Sequence, residues 1–204
     1  MIAIVDYEIG NLAAIANMFH RVGAPCEITA DPQKIARASK LVLPGNGAFD
    51  ACMKGLRETG LIALLNQRVQ VERTPLLGIC VGAQMLGHGS EEGVEPGLGW
   101  MDMQVKRFAA RSDLRVPHMG WCRVRKSASA GALFDTMDDE ARFYFVHSYY
   151  LVPARPADVL LTASYGIEFA AAVGNTNIVG LQFHPEKSHR FGKQLLRNFA
   201  LGQP

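Results

Sequence analysis

No stretch of the 204 residues approaches the apolar length that crosses a bilayer. The opening run Met1-Ile-Ala-Ile-Val-Asp6 lacks the basic, long-apolar and small-residue parts of a secretory leader. Cysteine is sparse, with four residues at 26, 52, 80 and 122 and no C-x-x-C spacing. This argues against disulfides and zinc and for free thiols in the cytoplasm. Charge is nearly balanced, with 21 basic and 19 acidic residues and a net +2. Such a balance argues against nucleic acid or a membrane surface as the main partner. There is no internal repeat and no low-complexity tract. What remains is a chain with 49% hydrophobic residues, long enough for a substantial core, read as one domain over 1–204.

Residues 1–88 alternate between strand and helix patterns. Strand 2–6 precedes a helix from about Asn11, with Leu12, Ile15, Phe19 and Val22 on one face. Strand 26–29 follows, and Asp31-Pro32 reads as an N-cap with proline at the first helical position. Strand 41–43 leads to helices near 48–56 and 59–70, and strand 76–79 ends at Cys80. This alternation predicts a mostly parallel sheet with helices on both faces, and sites at the carboxyl ends of its strands. From about 98 the pattern changes to short runs at 103–107, 121–125, 143–151, 158–163, 167–173 and 178–183, read as appended antiparallel or mixed strands. The segment 108–116 reads as a surface loop. Ser188 is placed to cap a closing helix with Phe191, Leu195, Leu196 and Phe199 as its apolar stripe.

Two motifs bear chemistry. Leu76-Leu77-Gly78-Ile79-Cys80-Val81-Gly82 has the G-x-C-x-G spacing of a nucleophile elbow, where small residues two away on each side let backbones approach. A buried structural cysteine after a strand has similar surroundings, so the elbow alone leaves both readings open. Near the C-terminus, His184-Pro185-Glu186 sets a histidine two residues from a carboxylate, and an extended segment would point both side chains the same way. A histidine so oriented can take a thiol proton and return it. The order Cys, His, Glu over about a hundred residues is much stronger than either motif alone.

With these residues the chain resembles the class I (triad-type) glutamine amidotransferases over nearly its whole length. Further stations are Asp6-Tyr7 with Gly10-Asn11-Leu12, the run Leu43–Phe49, Ser90–Gly93, Pro117–Trp121, Phe143–Tyr149 and Gln182–Ser188. The Pro117–Trp121 and Tyr144–Tyr149 runs are particular to glutaminase subunits serving a histidine-pathway cyclase. The resemblance implies a flavodoxin-like α/β fold and hydrolysis of glutamine to glutamate and ammonia. It assigns Cys80 as nucleophile, His184 as the proton carrier and Glu186 as its orienter. Oxyanion donors would come from Val81 and from Gly45-Asn46-Gly47. Gln84, Glu92, Ser148 and Tyr149 would hold the amino-acid end of the substrate; without the family, Glu92 reads equally well as a solvated acid.

Asn11, His118, Met119, Trp121 and Tyr144 would meet a partner, a (βα)8-barrel cyclase or a related ammonia-accepting synthase in a heterodimer. No cofactor or metal is implied. His147 reads as a core histidine, His20 and His189 as helix-surface residues, and Cys26, Cys52 and Cys122 as inert. Asn46 stands where valine is usual, and its tolerance of positive φ would ease the oxyanion loop into its active orientation. Val81, Ala83 and Cys122 also depart from the common pattern. The run Gly97–Met103 looks more like copies that supply ammonia to a sugar-modifying synthase in polysaccharide synthesis, which is the alternative acceptor. A stand-alone γ-glutamyl hydrolase is the third reading.

Overall fold

A computed structural model describes residues 1–110, 112 and 114–202. Among the described residues eleven strands run in chain order: β1 (Ile2–Val5), β2 (Cys26–Thr29), β3 (Lys40–Leu43), β4 (Leu76–Ile79), β5 (Met103–Arg107), β6 (His118–Lys126), β7 (Arg142–His147), β8 (Tyr149–Pro153), β9 (Val159–Tyr165), β10 (Ile167–Asn175) and β11 (Ile178–Leu181). The α-helices are α1 (Leu12–Arg21), α2 (Pro32–Arg37), α3 (Phe49–Glu58), α4 (Ile62–Asn66), α5 (Val81–Gln84) and α6 (His189–Leu201), with a π turn at Gln67–Val71 continuing α4. Among the described residues no helix is long and apolar enough to cross a membrane.

The strands order as β2-β1-β3-β4-β11-β10-β9-β6-β7, with β5 and β8 paired to each other and β8 touching β10. The first five are all parallel. β1, β3, β4 and β11 are buried along nearly their whole length, as continuous apolar runs between helical layers must be, whereas the edge strand β2 is mostly half-buried. The remaining pairings are antiparallel. Asp31 caps α2 as its sequence implies, its carboxylate accepting from the Gln33 N–H at 2.8 Å.

Four expectations change. β11, read from sequence among the appended strands, lies parallel to β4 in the middle of the sheet. The run 143–151 is two strands broken at Ser148, because β7 pairs β6 whereas β8 turns to β5 and β10. Ser188 sits at the start of α6 but makes no cap bond. Its hydroxyl donates to the His184 carbonyl at 2.6 Å and accepts from the Tyr144 N–H at 3.0 Å. Phe108, inside the stretch read as a surface loop, is buried against Tyr150, Tyr165 and Phe169; positions 111 and 113 of that stretch lie outside the described residues.

The sheet order positions the site. β3, β4 and β11 are parallel neighbours, so their carboxyl ends bring the loop 44–47, Cys80 and His184 side by side. Backbone contact fixes the first two. A Cβ on Gly82 would lie 2.0 Å from the Leu43 carbonyl oxygen, and one on Gly45 would lie 2.2 Å from the Gly82 nitrogen. Neither contact is with a flexible side-chain end, so neither can give way cheaply. Gly82→Ala is therefore expected to cost about 3 kcal/mol or more. Thermal unfolding should show a Tm lower by roughly 6–12 °C; an unchanged Tm would contradict the close packing.

Candidate active site

Cys80 leaves β4 with φ +53° and ψ −113°, a conformation costly for a side-chain-bearing residue. Its N–H donates to the Leu181 carbonyl at 2.7 Å, and its carbonyl receives Ala83 and Gln84 at 3.0 and 3.2 Å. The strained turn is thus tied to β11 on one side and to α5 on the other. Val81 begins α5, so its N–H is one of the donors a helix cannot use internally.

Asn46, Gly47, Cys80, Val81, Gln84, Glu92, Pro117, Val146, His147, Ser148 and Tyr149 line a cavity of about 240 Å³. This is the scale of a single amino acid rather than a large ligand. The oxyanion candidates divide. Asn46 and Gly47 face the cavity, while Gly45 lies behind them against the elbow backbone. The left-handed residue of the loop is Gly47, at φ +96°, and not Asn46. The tolerance of asparagine for positive φ is therefore not used in this conformation; the Asn46 carbonyl instead accepts from the Cys52 thiol at 3.6 Å.

The four substrate-binding candidates meet at this cavity. Glu92 is held at the start of α3, one carboxylate oxygen accepting from the Phe49 N–H at 2.9 Å. Asp50 steadies the same loop by accepting from Val94 and Glu95, and these backbone donors hold its carboxyl below the usual range. Gln84 is buried, its amide nitrogen 3.3 Å from the Tyr149 carbonyl and 3.2 Å from Gln182 Oε1. Its own oxygen is buried without a partner.

His184 is not part of this lining; with Glu186 it borders a void of about 10 Å³ that Pro44, Gly45 and Asn11 also line. Its Nδ1 is 2.8 Å from Glu186 Oε1. The pair is not set by an extended segment. β11 ends at Leu181, and Pro185–Lys187 form a 3₁₀ turn with Pro185 at its first position. Nε2 is buried without a hydrogen bond of ordinary geometry, yet the Cys80 thiol is close enough to act on the ring. Burial disfavours the charged imidazole; Cys80 and Glu186 favour it more, and the pKa is raised to about 10.

Beside the cavity lies a second histidine pair. His147 Nδ1 is 2.7 Å from the Tyr149 carbonyl, which can only accept, so Nδ1 bears the proton. Its Nε2 then accepts from His118 Nδ1 at 3.0 Å. Burial pushes His118 down to about 4. It pushes His147 down to about 3, aided by His118 and His184 and opposed by the bond to Tyr149.

Among the partner-facing candidates, Met119 is 63% exposed and Trp121 42%. Trp121 lies opposite Tyr144 across β6 and β7 and stacks on His189 at 5.3 Å. Asn11 is exposed. His118 points inward at 4% exposure and stacks on Tyr165, so its side chain offers the surface nothing.

Sequence reasoning missed two residues at the site. The Tyr7 hydroxyl donates to the Pro44 carbonyl beneath the oxyanion loop, and burial raises its pKa. Gln182 stands between Gln84 and Cys80. Both lie in runs quoted for the resemblance, but Tyr7 falls just past the strand read at 2–6 and Gln182 reads as part of the strand at 178–183.

The histidines give opposite pH signatures. His184, raised above the unfolded value near 6.5, stabilises the fold fully below that pH and loses this contribution as pH rises towards 10. His118 and His147, depressed, stabilise it above about 6.5 and lose this as pH falls towards 4 and 3. In NMR titration, Cys80→Ala and Glu186→Gln should each lower the His184 pKa. The double variant should bring it below 6.5, since burial then acts unopposed; a His184 pKa unmoved by either change would contradict the pairing.

The chain matches the family described as glutamine amidotransferase class-I over residues 3–202. It is 51% identical over 200 residues to a Pseudomonas aeruginosa protein named imidazole glycerol phosphate synthase subunit HisH 2, covering 98% of each. It is 46% identical to a Bdellovibrio bacteriovorus protein named imidazole glycerol phosphate synthase subunit HisH, covering 98% of this chain and 99% of that one. Among solved structures, a Thermotoga maritima glutamine amidotransferase superposes with a TM-score of 0.66 at 20% identity, covering 97% of this chain and 81% of that one. The glutaminase domain of Trypanosoma brucei CTPS, solved with acivicin, gives 0.66 at 14%, covering 98% and 92%. These two likenesses bear on the fold alone, whereas the family match and the two relatives span nearly the whole sequence: the chain belongs to the class I glutamine amidotransferases.

Proposed function

We propose that the chain is the glutaminase subunit of an imidazole glycerol phosphate synthase, hydrolysing glutamine and passing the ammonia to a synthase partner. The observation that supports this most is identity of 51% over 98% of both chains with a relative so named, joined to a Cys80, His184 and Glu186 set at one end of β4 and β11.

The geometry supports a two-step reaction. Glutamine enters the cavity with its amino-acid end between Gln84, Glu92, Ser148 and Tyr149. The unpartnered Gln84 oxygen and the second Glu92 oxygen suit an ammonium, and donors of the Ser148–Tyr149 segment suit a carboxylate. Cys80 attacks the side-chain amide as the thiolate, its proton already held by His184, whose pKa is raised to about 10. The oxygen's growing charge meets the Val81 N–H and the Asn46–Gly47 loop. The C–N bond breaks as His184 returns the proton to the leaving nitrogen, giving ammonia and a γ-glutamyl thioester. Water, deprotonated by His184, then releases glutamate and restores the thiol. Glu186 keeps the imidazole aimed throughout.

Ammonia is largely protonated in neutral water and is then no nucleophile, so delivery calls for a docked partner. Met119, Trp121 and Tyr144 form an aromatic, sulfur-bearing face of the kind enriched at interfaces, with Asn11 exposed as a further contact. The partner proposed for it is a (βα)8-barrel cyclase. A sugar-modifying synthase is the second reading, and the likeness of the run Gly97–Met103 is what supports it. That support is slight: Trp100, Met101 and Met103 are buried, and Trp100 Nε1 donates to Asn66 at 2.6 Å. Those departures accompany core packing.

Glutamate release by the purified chain should be slow alone. It should rise strongly with the cognate cyclase and an acceptor analogue, and vanish in Cys80→Ala. Absence of stimulation would favour the sugar-modifying partner, and full activity without any partner would favour a stand-alone hydrolase. Trp121→Ala should weaken association about tenfold or more in a binding titration; unchanged affinity would move the interface elsewhere.

A further inference from the structure

We propose that Gln182 is a positioning residue for Cys80, a fixed amide donor that favours the thiolate and aims it at the cavity. The proposal rests on Cys80 being the nucleophile. Gln182 is fully buried at the end of β11, its backbone N–H held by the Ala171 carbonyl at 2.9 Å. Its side-chain nitrogen lies 4.0 Å from Cys80 Sγ, the long end of a donor-to-sulfur contact.

The direction of that amide follows from chemistry two residues away. The Tyr149 carbonyl cannot donate, so the Gln84 atom 3.3 Å from it is the NH2 group. The same nitrogen is 3.2 Å from Gln182, which must therefore present its oxygen there. With its oxygen engaged, Gln182 has only its NH2 to turn towards sulfur. Reversing it would also reverse Gln84 and set oxygen against oxygen at Tyr149. His147 holds that carbonyl from the other side at 2.7 Å. The chain Tyr149, Gln84, Gln182, Cys80 thus has one polarity, set by a backbone group that cannot flip. A donor aimed at sulfur stabilises the charged form over the neutral one. The same chain joins the cavity wall at Tyr149 to the reacting atom.

The test is the pH dependence of Cys80 alkylation by iodoacetamide in the full chain without glutamine. Labelling is read on the Cys80 peptide by mass spectrometry, so that Cys26, Cys52 and Cys122 do not contribute. Gln182→Met keeps the bulk and removes the donor. Gln182→Glu keeps an oxygen for Gln84 but turns an acceptor towards sulfur. The labelling midpoint should rise by about one pH unit in the first, so labelling at neutral pH falls up to roughly tenfold, and further in the second. Gln84→Met, which unlocks the polarity without touching sulfur, should shift the midpoint the same way by less, and serves if the Gln182 variants do not fold. Wild-type midpoints in the folded variants would overturn the proposal while leaving the nucleophile in place, provided Cys80→Ala abolishes glutamine hydrolysis. Hydrolysis surviving Cys80→Ala would overturn both.

Discussion

The site depends on the close approach of two backbones, Leu43-Pro44-Gly45 after β3 and Val81-Gly82 at the start of α5. No side chain fits between them. That contact sets how far the oxyanion loop stands from the thiol. It is held from below by the Tyr7 hydroxyl on the Pro44 carbonyl and from the side by β4 and β11, whose register puts Gly78 opposite Gly180. The positive φ of Cys80 is the local cost, about 1–3 kcal/mol for a residue of this kind. The buried parallel strands on either side offset it.

Around this frame, three buried histidines are sorted by their partners. His184 faces a thiol and a carboxylate and is driven towards the cation. His147 faces a carbonyl through one nitrogen and another imidazole through the other, and both it and His118 are driven neutral. Desolvation acts in the same direction on all three; the acidic partners alone reverse it. A neutral His147 beside the cavity leaves His184 as the proton carrier, and it spends its own proton on orienting Tyr149.

The catalytic candidates were legible because their constraints are local. A cysteine that must turn sharply needs small residues two positions away, and Gly78 and Gly82 provide them. The central place of β11 was not legible, since local alternation says nothing about which strand pairs with which. Phe108 was missed because a lone aromatic between Arg107 and two alanines sets up no strand or helix period, although its ring packs with residues some forty to sixty positions later. The His184 and Glu186 pair was legible as chemistry but not as geometry: proline at the first position of a turn serves a 3₁₀ helix as well as a strand end. Gln182 looked like a polar interruption of a strand. Its partners, 98 and 102 residues away in sequence, meet it only in the fold.

The surface proposed for the partner is not remote from the chemistry. The Tyr144 carbonyl accepts the His184 N–H at 2.9 Å, and the Tyr144 N–H donates to Ser188, whose hydroxyl donates to the His184 carbonyl. Tyr144 is thus bonded through both backbone groups to the His184–Ser188 turn while its ring lies against Trp121. A body pressing on that aromatic pair would bear on β7, which is bonded directly to the turn that bears the histidine. The Ser188 hydroxyl, which sequence reads as a helix cap, is committed to this link instead. Giving up a capping bond worth about 1 kcal/mol is physically reasonable where the same hydroxyl satisfies one buried and one part-buried backbone group, because a buried group costs about as much or more if left unpaired.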